Sequence, residues 1–305
     1  MVTEDELRRA AVYLRAGRLV AFPTETVYGL GANAMDAEAV GRIFAAKGRP
    51  ATSPLIVHVD SVEMARGLVT AWPESADALA SKFWPGPLTL ILPKQPSIPG
   101  RVTAGLTTVG LRMPSHPVAL ALIRAAGIPL AAPSANRFTE LSPTTARHVR
   151  EALGNRVDMV LDGGPCTVGI ESTVLSLAGG IPVLLRPGMI TQEQIEDVIG
   201  PVSLPVPVPG AHQSPGMHPQ HYRPKTLLLQ GAPPSEGRGA YLYWNDPLPA
   251  ARPVQMPSDP AAYAAVLYGI LHNLDTEGWD YIAVEPVPHS VEWAGIRDRL
   301  RRAAA

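Results

Sequence analysis

The sequence predicts an α/β fold in which a large domain with a mixed sheet and flanking helices precedes a smaller α/β domain. Amphipathic helices and short apolar strands are interspersed from residue 1 to 200 without strict alternation, which favours a mixed sheet over a purely parallel one. A proline-rich stretch at 201–224 interrupts this pattern, and further strands and helices follow it. We therefore predict domains at 1–200 and 226–305, joined by a linker at 201–225.

Composition limits the class of protein. The 305-residue chain is 46% hydrophobic and 17% charged, so it can bury a large core. No apolar run approaches the ~20 residues that span a bilayer, and the acidic N-terminus lacks signal-peptide features. We therefore expect a cytoplasmic protein with no membrane partner. Cys166 is the only cysteine, which excludes an intramolecular disulfide, and the net charge of −1 argues against tight nucleic-acid binding.

The first domain begins with a helix, because Thr3 and Glu6 have the spacing of a capping box and apolar residues follow at helical intervals. Gly17 predicts the end of this helix. Further helices are predicted at 37–46, 73–83, 117–126, 144–153 and 192–199. Strands are predicted at 19–22, 55–59, 88–92, 109–113, 129–132, 159–161, 173–177 and 183–186.

The proline-rich stretch favours extended, semi-rigid backbone and is typical of an interdomain connection. The second domain follows it, with strands predicted at 226–229, 241–244 and 281–285 and a helix at 261–274. A basic helix is predicted to end the chain.

The stretch 23–31, PTETVYGLG, follows the first strand and combines hydroxyls, a carboxylate and glycines. In extended backbone Thr24 and Thr26 would point to one face and Glu25 to the other. Gly29 and Gly31 would let the backbone approach a ligand without a Cβ between them. Taken alone, the pattern fits a ligand-binding strand edge and an ordinary turn equally well.

Basic residues occupy two further informative places. Lys47 and Arg49 lie at a predicted helix end and precede Ser53, a pattern typical of an anion site but also of basic residues at a helix C-terminus. Arg112 lies inside an apolar strand, where a guanidinium needs a partner. The intervening segment 84–89, WPGPLT, is interpreted as a structural turn without chemistry.

Small and hydroxyl-bearing residues lie at several other strand ends. Ala132 and Ser134 leave room for a ligand. Ser142 begins a predicted helix whose N-terminal amides suit a phosphate, although simple N-capping is equally consistent. Ser172 follows a glycine-rich turn, and Arg186 ends a strand.

Several other kinds of site are excluded by their spacing. His212, His218 and His221 lie in the proline-rich stretch without zinc-type spacing, so we predict no protein metal site. No serine has a nucleophile-elbow context, and neither a Walker A motif nor a dinucleotide fingerprint is present.

Considered together, the motifs follow a specific order: PTETVYGLGANA, KGRP with SPLIVHV, WPGPLTLIL, VGLRMPSHP, APSAN with SPTTA, GIESTV and LLRPG. This order resembles the threonylcarbamoyl-AMP synthase family over nearly all of residues 1–200. The later segment SPGMHPQHYRPK, followed by a small domain, resembles the long, two-domain form of that family. The resemblance implies a YrdC-like catalytic domain with a twisted mixed sheet and a Rossmann-like C-terminal domain.

The activity that this resemblance implies is synthesis of threonylcarbamoyl-AMP from L-threonine, bicarbonate or CO2, and ATP, with release of pyrophosphate. Mg²⁺ would accompany ATP with few protein ligands, and no prosthetic group is expected. A tRNA threonylcarbamoyl transferase complex would be a transient downstream partner that modifies tRNA next to the anticodon.

The resemblance also assigns residues by motif. L-Threonine would contact Thr26, His58, Arg112, Ala132 through its backbone, and Ser172. The nucleotide would contact Arg49, Ser53, Thr108, Ser134, Ser142, Arg186 and Tyr222. Lys47 with Arg49 would neutralise phosphate charge during the reaction, and Glu25 would have a structural role. No side chain in these motifs is an obvious nucleophile, so we expect catalysis by positioning and electrostatics, without a covalent enzyme intermediate. The linker at 201–225 would act as a lid, with 221–223 over the nucleotide.

Two other functions stay open at this point. An RNA-binding module is one, although the near-neutral charge and the lack of aromatic-basic stripes count against it. A carbamoyl transferase that uses the same fold with a different acceptor is the other, since fold alone does not define the acceptor.

Overall fold

The computed structural model describes residues 2–205 and 221–304. Residues 206–220, which include His212, His218 and most of the predicted lid, lie outside the described residues. The described chain contains two sheets with helices packed against them, as the sequence predicted.

The helices of the first domain are α1 Glu4–Arg15, α2 Ala37–Lys47, α3 Val62–Arg66, α4 Glu74–Phe83, α5 Pro117–Ala126, α6 Ala146–Leu153 and α7 Gln192–Ile199. Its strands are β1 Val20–Phe22, β2 Gly29–Asn33, β3 Ile56–His58, β4 Leu88–Pro93, β5 Thr108–Arg112, β6 Leu130–Ala131, β7 Met159–Val160, β8 Thr173–Ser176 and β9 Val183–Arg186. The second domain contains β10 Leu227–Gln230, β11 Gly239–Tyr243, β12 Arg252–Gln255, β13 Tyr281–Val284, α8 Pro260–Asp275 and α9 Ala294–Ala303.

Local sequence signals begin and end the helices. The predicted capping box at α1 is confirmed: Glu6 N donates to Thr3 Oγ1 at 3.2 Å and Thr3 N donates to Glu6 Oε2 at 2.8 Å. Asp36 caps α2 by accepting from two backbone amides. Gly48 ends α2 in the left-handed region with a φ of 63°, which glycine adopts without strain.

The first sheet has the strand order β7-β1-β2-β6-β3-β5-β4-β8-β9. The pairs β1–β7, β3–β5 and β4–β8 are parallel, and the remaining neighbours are antiparallel. The second sheet, β10-β13-β11-β12, is parallel throughout. The prediction of a mixed sheet followed by a small α/β domain is confirmed.

Strand β2 was not predicted. Its sequence GLGAN lacks the β-branched and aromatic residues that favour strands. The strand forms because it pairs antiparallel with β1, with Gly29 opposite Phe22. A Cβ at Gly31 would lie 2.7 Å from the Phe22 ring, so this glycine permits the close packing of the two strands.

Two other elements were also missed. Helix α3 has only five residues, too few for a periodic pattern to show. Strand β12 is at the sheet edge and contains Pro253, which ordinarily argues against a strand.

The two domains share a close interface. The core of the second domain includes Val27, Leu141 and Ile170 of the first. A Cβ at Gly169 would lie 2.2 Å from the Ala264 carbonyl oxygen, so α8 packs directly on the backbone of the first domain. Among the helices of residues 2–205 and 221–304, none combines the length and the apolar character needed to cross a bilayer.

Candidate active site

A cavity at the strand ends of the first sheet collects most of the predicted site residues. Its lining includes Thr26, His58, Arg112, Ala132, Ser172, Arg49, Ser134, Arg186 and Tyr222. Strands β3 and β5 are parallel neighbours, and their register places His58 beside Arg112. Residues separated by more than 190 positions in the sequence therefore face a common space.

Arg112 has an ion partner within the protein. Its Nη2 lies 2.7 Å from Glu25 Oε1, an ion pair rather than a well-aligned hydrogen bond, and both side chains are buried. Arg112 Nη1 donates to Thr26 Oγ1 at 2.9 Å, and Glu25 Oε2 accepts from Ser115 N at 3.1 Å. The guanidinium is thus held in place before any ligand binds. The partner that the sequence led us to expect for Arg112 is Glu25, and a structural role for Glu25 fits this geometry.

The segment 24–27 is a turn, and not the extended backbone that alternation of side chains would require. Thr24 Oγ1 donates to Val27 O at 2.6 Å and lies 2.9 Å from Thr26 Oγ1. This turn brings Glu25 and Thr26 to the same guanidinium, so the prediction that they face opposite ways is wrong. The two interpretations of the segment 23–31, a turn and a ligand-binding edge, are therefore compatible, because the turn supplies one wall of the cavity.

His58 is neutral at physiological pH. Burial, reinforced by the nearby positive charge of Arg112, lowers the pKa of His58 to about 3. Its Nδ1 has no hydrogen-bond partner among the described residues. A neutral imidazole in this position can exchange hydrogen bonds with a polar ligand, but it is too weak a base to hold a proton at pH 7.

Ser172 is oriented by two neighbours. Its Oγ lies 2.8 Å from Thr89 Oγ1 and accepts from Arg186 Nη2 at 3.1 Å. Arg186 Nε also donates to the Ser172 carbonyl at 3.0 Å. Thr89 belongs to the WPGPLT segment, which the sequence predicted to be a structural turn without chemistry. The hydroxyl of Thr89 in an otherwise apolar strand was the one sequence signal that could have pointed to this contact.

Arg49 projects into the cavity and keeps its charge. Burial lowers the pKa of Arg49 to about 10, so the guanidinium is protonated at neutral pH. Arg49 Nη2 donates to Ser53 Oγ and, at 3.0 Å, to the Pro54 carbonyl. Ser53 therefore lies behind the arginine and orients it. A direct contact between Ser53 and a nucleotide stays a prediction.

Lys47 lies behind the cavity wall. Its Nζ donates to the Ser134 carbonyl at 2.6 Å and also to the Asn136 carbonyl. Burial and the neighbouring Arg49 lower its pKa well below the usual value. In this structure Lys47 supports the loop that carries Ser134 and is not part of the cavity lining. Its phosphate-neutralising role stays a prediction.

Ser142 and Thr108 are not brought to the cavity lining. Ser142 is fully buried and donates to Glu171 Oε1 at 2.5 Å, while Thr145 takes the N-cap position of α6. The N-cap interpretation of Ser142 is wrong because Thr145 takes that position, while a contact between Ser142 and the nucleotide stays a prediction. Thr108 begins β5, which ends at Arg112, and it lines a separate surface cleft with Ser176. Thr108 and Arg112 lie at opposite ends of β5, and only Arg112 lines the cavity. A contact between Thr108 and the nucleotide stays a prediction.

The described end of the linker lies at the cavity. Tyr222 is buried, has a left-handed backbone with a φ of 63°, and its hydroxyl has no hydrogen-bond partner among the described residues. The His221 ring also lines the cavity and meets the Phe138 ring edge-on at 5.8 Å. Arg223 lines a different cleft, so only part of the predicted lid segment faces the site.

Comparison with known proteins agrees with this arrangement. A family model described as "Telomere recombination" matches residues 12–188, and one described as "Threonylcarbamoyl-AMP synthase, C-terminal domain" matches residues 190–305. A threonylcarbamoyl-AMP synthase of Bacillus subtilis is 44% identical, over 99% of this chain and 93% of that protein. The chain belongs to the threonylcarbamoyl-AMP synthase family.

Solved structures extend the comparison from sequence to fold. Pyrococcus abyssi Sua5, crystallised with L-threonine, superposes with a TM-score of 0.93 at 41% identity, covering 100% of this chain and 95% of that protein. E. coli YciO matches with a TM-score of 0.54 at 24% identity, covering 61% of this chain and 90% of that protein, a likeness of fold alone. The resemblance drawn from the motifs is confirmed, and so is the two-domain fold.

Proposed function

We propose that this protein is an L-threonylcarbamoyladenylate synthase that converts L-threonine, bicarbonate or CO2, and ATP into threonylcarbamoyl-AMP and pyrophosphate. The observation that carries the proposal is a single cavity in which Arg112, His58 and Thr26 face the cations Arg49 and Arg186. This pairing suits an amino acid on one side and a nucleotide on the other. Family membership supplies the reaction class, that of a nucleotidyltransferase.

The threonine subsite is assigned to the wall formed by Thr26, His58, Arg112, Ala132 and Ser172. Arg112 has donors beyond those used by Glu25 and Thr26, and a guanidinium suits a carboxylate. Neutral His58 accepts a hydrogen bond from the substrate amine or hydroxyl without competing for its proton. The L-threonine in the Pyrococcus abyssi Sua5 crystal structure supports this choice of amino acid.

The nucleotide subsite is assigned to Arg49, Ser134, Arg186 and Tyr222. An oxygen of the threonine carbamate attacks the α-phosphorus, and pyrophosphate leaves as the P–O bond to the β-phosphate breaks. Guanidinium groups fixed before the reaction stabilise the charge that develops on the phosphate oxygens. The chain provides geometry and charge, and no covalent enzyme intermediate is required.

Magnesium enters this scheme as part of the substrate MgATP. Glu171 is the one carboxylate in the described cavity lining, and it already accepts from Ser142, Tyr268 and Arg299. Within residues 2–205 and 221–304, no three His, Cys, Asp or Glu side chains are grouped to hold a metal. Such a site fits an ion whose ligands are mainly phosphate oxygens and water.

We assign the linker a shielding role. N-carboxy-threonine loses CO2 readily in water, so the carbamate must react in an enclosed site. His221 and Tyr222 line the cavity and are in position to cover it. A cytoplasmic tRNA threonylcarbamoyl transferase complex is the partner that we propose for the product.

The decisive experiment is pyrophosphate release by the purified full-length chain. We expect release with MgATP, L-threonine and bicarbonate together, and no release above the enzyme-free background when threonine is omitted, because threonine carries the carbamate that attacks ATP. Pyrophosphate release that is independent of threonine would refute the proposal. Salt-dependent capture of RNA on a filter, without this activity, would instead support the RNA-binding alternative.

A further inference from the structure

The C-terminal domain reaches the cavity wall through one carboxylate. Arg299 of α9 donates from Nε to Glu171 Oε2 at 2.7 Å and from Nη2 to the Glu171 carbonyl at 3.0 Å. Tyr268 of α8 donates to the same Oε2 at 3.2 Å. Arg299 is 1% exposed, so its charge is withdrawn from solvent and shared between Glu171 and Asp298, whose Oδ2 accepts from Arg299 Nη1 at 3.0 Å. None of these contacts was predicted from the sequence.

Glu171 lies at a sensitive place. It lines the cavity, immediately precedes Ser172, and accepts from Ser142 on its second oxygen. Burial alone would raise the pKa of Glu171, but the positive charges of Arg299 and Arg186 hold it below its usual value. The carboxylate is therefore ionised, and without a counter-charge it would repel an anionic ligand in the cavity.

The helix that carries Arg299 is seated firmly on the first domain. A Cβ at Gly295 would lie 2.9 Å from the Gly188 carbonyl oxygen, so the two backbones are in direct contact. Arg299 Nη1 also donates to the Pro187 carbonyl at 2.9 Å. These contacts hold α9 against the loop that follows Arg186. The position of the Arg299 guanidinium is therefore set by the domain interface.

We propose that Arg299, assisted by Tyr268, is a positioning residue for the nucleotide subsite: it cancels the charge of Glu171 and thereby makes ATP affinity depend on docking of the C-terminal domain. The proposal rests on the proposed function because it takes ATP as the ligand. It differs from a lid role, since the contact lies in the wall of the cavity and not over its mouth.

The test is ATP binding by isothermal titration calorimetry on the full chain. We expect Arg299→Met to weaken ATP binding by about 30-fold or more, because an unpaired carboxylate within about 8 Å of a phosphate charge repels it by that much at an effective dielectric near 20. The KM for threonine should change less than about threefold, within the range of an indirect effect. Arg301→Met is the matched control: Arg301 lies on the same helix and pairs with Asp298, but its side chain is 66% exposed.

A charge-rescue experiment separates this role from a merely structural one. If Arg299 acts by cancelling the charge of Glu171, then Arg299→Met combined with Glu171→Gln should recover ATP affinity at least about tenfold over Arg299→Met alone, since the repulsion is removed. A double variant no better than the single one would overturn the proposal. So would ATP binding by Arg299→Met that equals that of Arg301→Met.

Two milder variants keep the proposal testable if Arg299→Met does not fold. Arg299→Lys retains the charge and should retain most of the ATP affinity, and Tyr268→Phe should lose about threefold, the worth of one weak hydrogen bond. If Arg299→Lys lost as much ATP affinity as we expect for Arg299→Met, the result would count against charge cancellation. Failure of the proposed function would look different, since the wild-type chain would then release no threonine-dependent pyrophosphate.

Discussion

The two walls of the cavity are held in different ways. The wall with Thr26, His58 and Arg112 is fixed within the first sheet, by strand register and the buried Glu25–Arg112 pair. The wall at Glu171 is held by Ser142 of the first domain and, from outside that domain, by α8 and α9. We infer that the proposed threonine subsite is intrinsic to the first domain, while the proposed nucleotide subsite depends on docking of the second.

Arg112→Ala should have the largest effect on the intrinsic wall. It removes the proposed carboxylate ligand and leaves Glu25 buried without its partner, so unfolding free energy should fall by about 3–5 kcal/mol. In a variant that still folds, the KM for threonine should rise about 100-fold, which is the contribution of a charge-assisted bidentate contact. This increase should be far larger than any increase in the KM for ATP. Steady-state pyrophosphate release and urea unfolding measure the two effects.

Arg66→Ala is the control for this prediction. Arg66 pairs with Asp77 at the surface, with side chains 51% and 49% exposed, so its loss should cost at most about 1 kcal/mol. Equal changes in the KM values for threonine and ATP in Arg112→Ala would contradict the assignment of Arg112 to the threonine carboxylate.

Thr89→Val should have the next largest effect. The substitution preserves shape but removes the hydroxyl that lies 2.8 Å from Ser172 Oγ, so we expect the KM for threonine to rise about tenfold, the worth of one buried hydrogen bond. Thr70→Val, at an exposed threonine, is the control. An unchanged KM in Thr89→Val would show that Arg186 alone orients the serine.

Much of the intrinsic wall was predictable from sequence, and the reason is local. Thr26 and Arg112 follow or lie in apolar strands, and polar residues at such positions stand out in the pattern. The reversal of direction at 24–27 was not predictable, because it depends on hydrogen bonds of Thr24 that compete with extended backbone.

The externally held wall was largely hidden in the sequence. Arg299 lies in a basic helix with several arginines, and only the packed structure distinguishes the buried one from exposed Arg301. Ser142 suited a helix N-cap, but its hydroxyl pairs with Glu171, a residue 29 positions away. Strand β2 was missed for a similar reason, since its glycines are required by packing against β1 and not by strand propensity.

Acid should weaken the domain interface through a histidine pair. The rings of His148 and His272 stack with centroids 3.9 Å apart, and burial with nearby positive charge lowers the pKa of His148 to about 3. Because the unfolded chain binds the proton near pH 6.5 and the folded chain does not, stability is lost as pH falls below 6.5. The slope contributed by His148 should be at most about 1.4 kcal/mol per pH unit.

Urea unfolding at pH 7 and pH 5 measures this slope. His148→Gln should flatten the dependence relative to the wild-type chain, while the other histidines with lowered pKa values still contribute. An identical pH dependence in the wild type and in His148→Gln would show that the pair does not couple protonation to stability.

Thr3→Ala should have the smallest effect. It removes the hydroxyl of the α1 capping box, so unfolding free energy should fall by about 1 kcal/mol. Helix α1 contributes no residue to the cavity lining, so both KM values should match the wild type. A shift in either KM would indicate that α1 influences the site, and would contradict the view that the two walls are held only by the contacts described above.

The most direct test of the two-wall account measures KM for threonine and for ATP, by pyrophosphate release, in Arg112→Ala and Arg299→Met side by side. We expect opposite selectivity: Arg112→Ala raises mainly the KM for threonine, and Arg299→Met raises mainly the KM for ATP. Parallel increases of both KM values in both variants would contradict it, because the cavity would then behave as one unit without separately held walls.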